Sequence, residues 1–232
     1  MATVLVVAVI ALTVTPIFIV NAFRVLATDT FVRHEIDRGG FPPDRYGLTT
    51  AERRQLALTG LHSILPGSAG IVLLERATLP DGSTAFDSRE LRHMTDVRSR
   101  LGAAYTAQLV ALIAILVLAI ALHRSRRWRT VVPRGLLIGS LLTLGIAALA
   151  VPVILLGFDG FFLRFHEVFF SGDTWRFSNT DTLLRIYPEA FWQDVAMLAA
   201  AIVVGQAIVV ALAAAWWTRR IRPVGATPGG AS

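Results

Sequence analysis

The chain has 232 residues, 54% of them hydrophobic, with a mean hydropathy of +0.61, a formal net charge of +6 and no cysteine. Such hydropathy is high for a soluble domain. The missing thiol excludes disulfides, thiolate metal sites, a cysteine nucleophile and a lipid-modified cysteine of the chain's own.

Four apolar runs organise the chain: 3–23, 103–122, 135–158 and 195–217. Each has about the 20 residues a helix needs to cross a bilayer. The first lacks a basic leader and is long enough to read as an uncleaved anchor rather than a signal peptide. Arg124, Arg126, Arg127, Arg129 and Arg134 lie between runs two and three, and Arg219, Arg220 and Arg222 follow run four, with no acid beside them. The positive-inside rule puts these eight arginines, and both termini, in the cytoplasm. All 16 Asp and Glu then fall in the outer segments 24–102 and 159–194, with 14 arginines, so the outside carries −2 and the inside +8. The positive net charge therefore reports membrane topology, not nucleic-acid binding. All 22 basic residues are arginine, which reads as codon bias rather than mechanism. Residues 1–222 read as a single integral membrane domain and 223–232 as a disordered cytoplasmic tail.

In the first outer segment, Gly39 to Pro43 breaks regular structure. Thr49-x-x-Glu52 is a capping box that predicts a helix over about 50–62, ended by Pro66-Gly67. Ile71 to Leu74 is β-prone and precedes the turn signal Pro80-Asp81-Gly82, so one short strand is expected there. Asp87-x-x-Glu90 is a second capping box. Its helix meets no breaker before Ala103 and runs on into the second span, carrying His93 above the outer membrane face. Arg89, Asp96 and Val97 share the face of His93 at helical spacing. In the second outer segment Phe158, Phe161, Phe162, Phe165 and Phe169 form one aromatic stripe of a helix, with Asp159, His166 and Asp173 on another. The fold class is thus an all-α membrane protein: four transmembrane helices with an extracytoplasmic α (minor β) subdomain between helices 1 and 2.

Four histidines lie outside, His34, His62, His93 and His166, in no metal-binding spacing. No serine stands in a nucleophile elbow and no glycine loop suits a phosphate. No metal and no cofactor are called for. Asn21, Ser140 and Gln206 in the spans are expected to hydrogen-bond between helices. None is ionisable, which argues against a pump or a secondary transporter. His93 and His166 are singled out by their predicted place at one bilayer surface, where a neutral imidazole with a carboxylate nearby can take a proton.

Two blocks carry a resemblance. One is Phe86-Asp87-Ser88-Arg89-Glu90-Leu91-Arg92-His93-Met94-Thr95-Asp96-Val97. The other is Phe165-His166-Glu167-Val168-Phe169-Phe170, followed by Trp175 and by Leu183 to Trp192. With four spans and a large outer loop they resemble the lipoprotein intramolecular transacylase (Lit) family of bacterial membrane proteins. The resemblance implies a plasma-membrane acyltransferase whose partners are diacylglyceryl-modified lipoproteins and membrane lipid. Such an enzyme moves an acyl chain from the glyceryl ester to the amine of the N-terminal cysteine and leaves a lyso-form lipoprotein. It implies that His93 and His166 are catalytic. Arg89, Asp96 and Tyr187 are the supporting candidates, by their proximity on helix or loop. The pair is expected within roughly 4–10 Å across an outward-opening cleft. Two other readings remain: a non-catalytic membrane interaction or assembly protein, and a lipid hydrolase with water in place of the amine.

Overall fold

The computed structural model describes residues 1–125 and 128–221; the tail expected at 223–232 lies outside them. Nine helices follow one another among the described residues: α1 (Ala2–Leu26), α2 (Asp29–Asp37), α3 (Thr50–Ile64), α4 (Val72–Glu75), α5 (Ser88–His123), α6 (Val131–Leu156), α7 (Phe158–Phe169), α8 (Thr182–Ile186) and α9 (Glu189–Ile221). Four of them, α1, α5, α6 and α9, are long and apolar enough to cross a membrane.

Both capping boxes form. Thr49 Oγ1 accepts from the Glu52 amide while Glu52 Oε2 accepts from the Thr49 amide, which starts α3. Asp87 Oδ1 accepts from the Arg89 and Glu90 amides, Glu90 Oε2 accepts from the Asp87 amide at 2.8 Å, and α5 begins. With no proline or glycine-led break, α5 runs for 36 residues. At 1.5 Å per residue that is about 54 Å, far longer than the ~30 Å hydrocarbon core. Its first four turns therefore project beyond the span predicted at 103–122.

The small helices pack around that projection. Val32 and Ile36 of α2, Leu56 and Leu61 of α3, Leu74, Phe86, Met94 of α5, Ile186 of α8 and Phe191 of α9 share one buried core. We call this unit the head. In place of the expected strand, residues 71–74 make one helical turn. Gly70, at φ +77°, redirects the chain. The Ile71 carbonyl then accepts from the amides of Leu74 and Glu75, and Leu74 is buried. A short apolar run without alternation fits such a turn as well as it fits a strand. The β content among the described residues is one bridge, Thr78 with Thr84, across the Pro80-Asp81-Gly82 turn.

In the membrane-spanning part, α6 packs closely on α1 and α9, and α5 leans mainly on α1. Asn21 Nδ2 donates to Gln206 Oε1 at 2.8 Å, and Gln108 Nε2 donates to Asn21 Oδ1 at 2.8 Å, joining α1, α9 and α5. Ser140 is buried but its Oγ makes no hydrogen bond, unlike Asn21 and Gln206. Gly135 and Gly139 let α6 approach α1. A Cβ on Gly139 would fall 2.7 Å from the Ala11 carbonyl oxygen and 2.7 Å from Val14 Cβ. Small residues spaced four apart are the usual means of such close helix contact in a bilayer.

Because a backbone carbonyl cannot swing aside, Gly139→Ala should lower stability by about 1–3 kcal/mol. Gly145, on the same helix, has no atom within 4 Å of its added Cβ, so Gly145→Ala should be neutral or stabilising by up to ~1 kcal/mol. Thermal unfolding of the two detergent-solubilised variants checks this, and equal midpoints would contradict the packing described.

Candidate active site

His93 sits one turn into α5 from the Asp87–Glu90 cap, and His166 lies in the last turn of α7. Their rings stack with centroids 6.0 Å apart and planes 28° from parallel, inside the separation expected. Aromatic rings surround them. Phe170 lies 4.9 Å from His93 and 5.6 Å from His166, and Phe177 meets His93 edge-on at 5.3 Å. Phe162 approaches His166 to 4.1 Å, and Trp175 stacks on it at 5.1 Å. α7 ends at Phe169, and Phe170 is extended, so Asp173 does not share the stripe of Asp159 and His166.

The expected cleft does not open between the two rings themselves. Rings about 3.4–4 Å thick at carbon contact distance, stacked at 6.0 Å, leave no room for an ester between the imidazoles. Two cavities lie elsewhere: about 230 Å³ beside Asp87, Glu90, Asp181 and Arg185, and about 460 Å³ among Val14, Phe18, Leu112 and Val209. Neither is lined by a histidine.

Burial sets the electrostatics. His93 is 7% exposed; burial, and secondarily the neighbouring His166, pull its pKa down to about 4. Burial also lowers His166, partly offset by a hydrogen bond between its Nδ1 and the Phe162 carbonyl at 2.9 Å. A carbonyl accepts only, so Nδ1 carries the proton and Nε2 of neutral His166 is left with its lone pair. His93 Nδ1 is buried with no hydrogen-bond partner.

The residues expected as supports take different places. Arg89 donates from Nη2 to Asp181 Oδ2 at 2.7 Å, and its guanidinium lies 5.6 Å from the ring centre of Phe177, the ring that abuts His93. Asp96 is exposed and, among the described residues, makes no hydrogen bond or ion pair. Tyr187 is buried in the head core and donates its hydroxyl to the Ala57 carbonyl; burial drives its pKa far above the usual phenol range. Its ring meets Trp192, which meets Phe162 beside His166. His62, which no sequence feature recommended, has a carboxylate partner: Nε2 lies 2.6 Å from Asp29 Oδ1, with both side chains nearly half exposed.

Three contributors went unassigned in the sequence. Glu90 reads there only as a helix cap, yet its other oxygen, Oε1, accepts from the Leu183 amide at 2.7 Å. Trp175 and Phe177 come from an irregular segment whose position no local pattern specifies.

The arrangement defines an all-helical, multi-pass membrane protein with a stacked histidine pair among aromatic rings, His93 buried and His166 half-buried. Residues 2–192 match the family described as lipoprotein intramolecular transacylase Lit, and the chain belongs to that family. It is 33% identical over 171 residues to an uncharacterized protein of Aquifex aeolicus (strain VF5), covering 74% of this chain and 75% of that protein. Its fold matches the membrane-integral lipoprotein intramolecular transacylase Lit of Bacillus cereus with a TM-score of 0.77 and 20% identity, over 94% of this chain and 97% of that one. Two structures of the Bacillus cereus protein with a single histidine replaced match with TM-scores of 0.71.

A histidine whose folded pKa lies below its unfolded value of about 6.5 favours the folded state above pH 6.5, and that contribution is lost as pH falls toward 4. In a ¹⁵N-histidine NMR titration, His93 should therefore stay neutral from pH 8 down to about 5, while the thermal midpoint should begin to fall as the pH drops below about 6.5 and go on falling toward 4. A His93 midpoint at or above 6.5 would contradict its burial.

Proposed function

We propose that this chain catalyses intramolecular acyl transfer, from the glyceryl ester of a diacylglyceryl lipoprotein to the α-amino group of its N-terminal cysteine, at the outer face of the plasma membrane. The observation that carries this reading is the His93–His166 stack, 6.0 Å apart and enclosed by aromatic rings, in a chain of the Lit family.

The amine attacks the ester carbonyl, and His166 Nε2 takes the proton the nitrogen sheds. His93, neutral, offers one N–H to the carbonyl oxygen. His166 then returns the proton to the departing glyceryl oxygen. Amine and ester belong to one molecule, so holding them together contributes on the order of 7–11 kcal/mol at best. No protein nucleophile is needed, in keeping with a chain free of cysteine. In this reading the segments 24–102 and 159–194, the head among them, are extracytoplasmic, which their content of all 16 acidic residues supports, and Arg89 acts as a positioning residue through Phe177.

Mass spectrometry of lipoprotein N-termini from cells with and without this chain tests the proposal. N-acyl, lyso-form peptides should appear only with it. His93→Ala and His166→Ala should each abolish them while the protein remains in the membrane. His62→Ala should keep most activity, since an exposed ion pair contributes about 0–1 kcal/mol. Full product from either of the first two variants would end the histidine assignment. Reporter fusions provide a separate check: those inserted at Ser83 and Ser178 should read outside and a C-terminal fusion inside, and any reversal would refute the orientation.

A further inference from the structure

Trp175 ends a stack of three rings. Its centroid is 5.1 Å from that of His166, which is 6.0 Å from that of His93, and both steps are within 30° of parallel. The guanidinium of Arg176 also lies over the indole, 5.1 Å from its centre. These contacts use the faces of the ring and leave its N–H edge unused. Trp175 is only 7% exposed, and its Nε1 is shut off from solvent without any hydrogen-bond partner.

An unpaired buried N–H costs about 1–3 kcal/mol. A phenylalanine would stack on His166 without that cost, and the surrounding segment already uses phenylalanine at Phe162, Phe165, Phe170 and Phe177. Stacking on His166 alone therefore gives no reason for a buried N–H at this place. A second orphaned nitrogen, His93 Nδ1, lies across the stack. His166, the residue with a free lone pair, touches both rings.

The indole is held there by bonds behind it. Arg89 binds Asp181, Glu90 accepts from the Leu183 amide, and the Thr182 hydroxyl donates to the Ala85 carbonyl. Together they fasten the segment that follows Trp175 to the start of α5, one turn from His93.

We propose that Trp175 is a catalytic residue, its Nε1–H serving as an oxyanion donor to the ester carbonyl as the tetrahedral carbon forms. This rests on the transacylase reading above. In the addition step the amine lone pair forms the C–N bond, the carbonyl π pair moves onto oxygen, and the ammonium proton passes to His166 Nε2. In the collapse the oxygen pair re-forms C=O, the C–O bond to glycerol breaks, and the glyceryl oxygen takes the proton from His166. Trp175 gives up no proton at any stage. An indole N–H is a donor only and does not ionise in this pH range, so the hole keeps one donor whatever the state of the histidines. Such a donor acts most strongly when charge has developed on the oxygen, so its loss falls on kcat.

The test uses the full-length protein in vesicles with a synthetic diacylglyceryl lipopeptide, following the N-acyl lyso product by mass spectrometry. Trp175→Phe keeps an aromatic face and removes the N–H. Replacement of Trp175 by benzothienylalanine keeps the bicyclic shape with sulfur in place of N–H, and decides the matter if the phenylalanine variant does not fold. Each folded variant should lose on the order of 10²-fold in kcat with KM little changed. A wild-type kcat in either, or a loss confined to KM, overturns the proposal. No product from the wild-type protein removes the transacylase reading, and this proposal with it. Product from the wild type at the rate of Trp175→Phe removes this proposal alone.

Discussion

Glu90 is 2% exposed and commits both carboxylate oxygens to backbone amides. Oε2 takes the Asp87 amide and closes the cap of α5; Oε1 takes the Leu183 amide at the start of α8. Burial raises its pKa, and the neighbouring Asp87 and Asp181 add to the rise. The two amides hold it against that cost. The contact joins two segments 93 residues apart in sequence. The helix it starts carries His93 one turn later, and the segment it anchors carries Trp175 and Phe177 a few residues earlier. The geometry of the histidine pair depends on this carboxylate, because neither histidine has a polar side-chain partner to fix its ring.

The bilayer imposes the complementary constraint. Backbone groups there must be satisfied within the helix, and polar side chains need partners on neighbouring helices. Asn21, Gln108 and Gln206 form a chain that ties α1, α5 and α9, and Arg24 extends it by donating from Nε to Gln108 at 3.0 Å while its guanidinium lies 3.7 Å over Tyr105. α5 meets α6 less than α1, so this polar chain ties its membrane-spanning part to α1 and α9. The head is joined to that part directly, since α5 is one continuous helix from cap to span. Membrane packing and site geometry are mechanically one problem.

What the sequence made legible follows from the range of each signal. The apolar runs, both capping boxes and the unbroken passage from Glu90 into the second span are local, and the structure contains all of them. The place of His93 and His166 at one end followed from counting spans, and the structure brings them within 6.0 Å. Where pattern was short, competition decided: residues 71–74 carry no alternation, and one helical turn won because it buries Leu74. Where position depended on distant contacts, the sequence was silent. Tyr187 reads as a residue near the pair, but the gap beside Gly60 and the Ala57 carbonyl draw its ring into the head core. Trp175 and Phe177 sit in a segment without helical or strand period, so nothing short of the Arg89–Asp181 and Glu90–Leu183 contacts says which way they face.

Burial of the pair bears on the proposed chemistry in a way that exposure would not. A histidine held below its ordinary pKa is a weak base toward a free amine of pKa near 8. It need not remove that proton from the free amine, because the nitrogen becomes far more acidic once it has bonded to the ester carbon. A weak base suffices at that moment, and its conjugate acid is correspondingly strong. Collapse of the intermediate needs such an acid, since the glyceryl oxygen leaves poorly without a proton. The aromatic faces around His166, Phe162 at 4.1 Å and Trp175 at 5.1 Å, favour the short-lived imidazolium through their quadrupoles without supplying a fixed negative charge that would stabilise it between turnovers. A carboxylate in the same place would raise the pKa and leave His166 protonated at neutral pH, unable to start the reaction. The enclosure thus suits a group that must be neutral before the step, charged during it and neutral again after, and an exposed Asp96 outside the enclosure is compatible with that requirement.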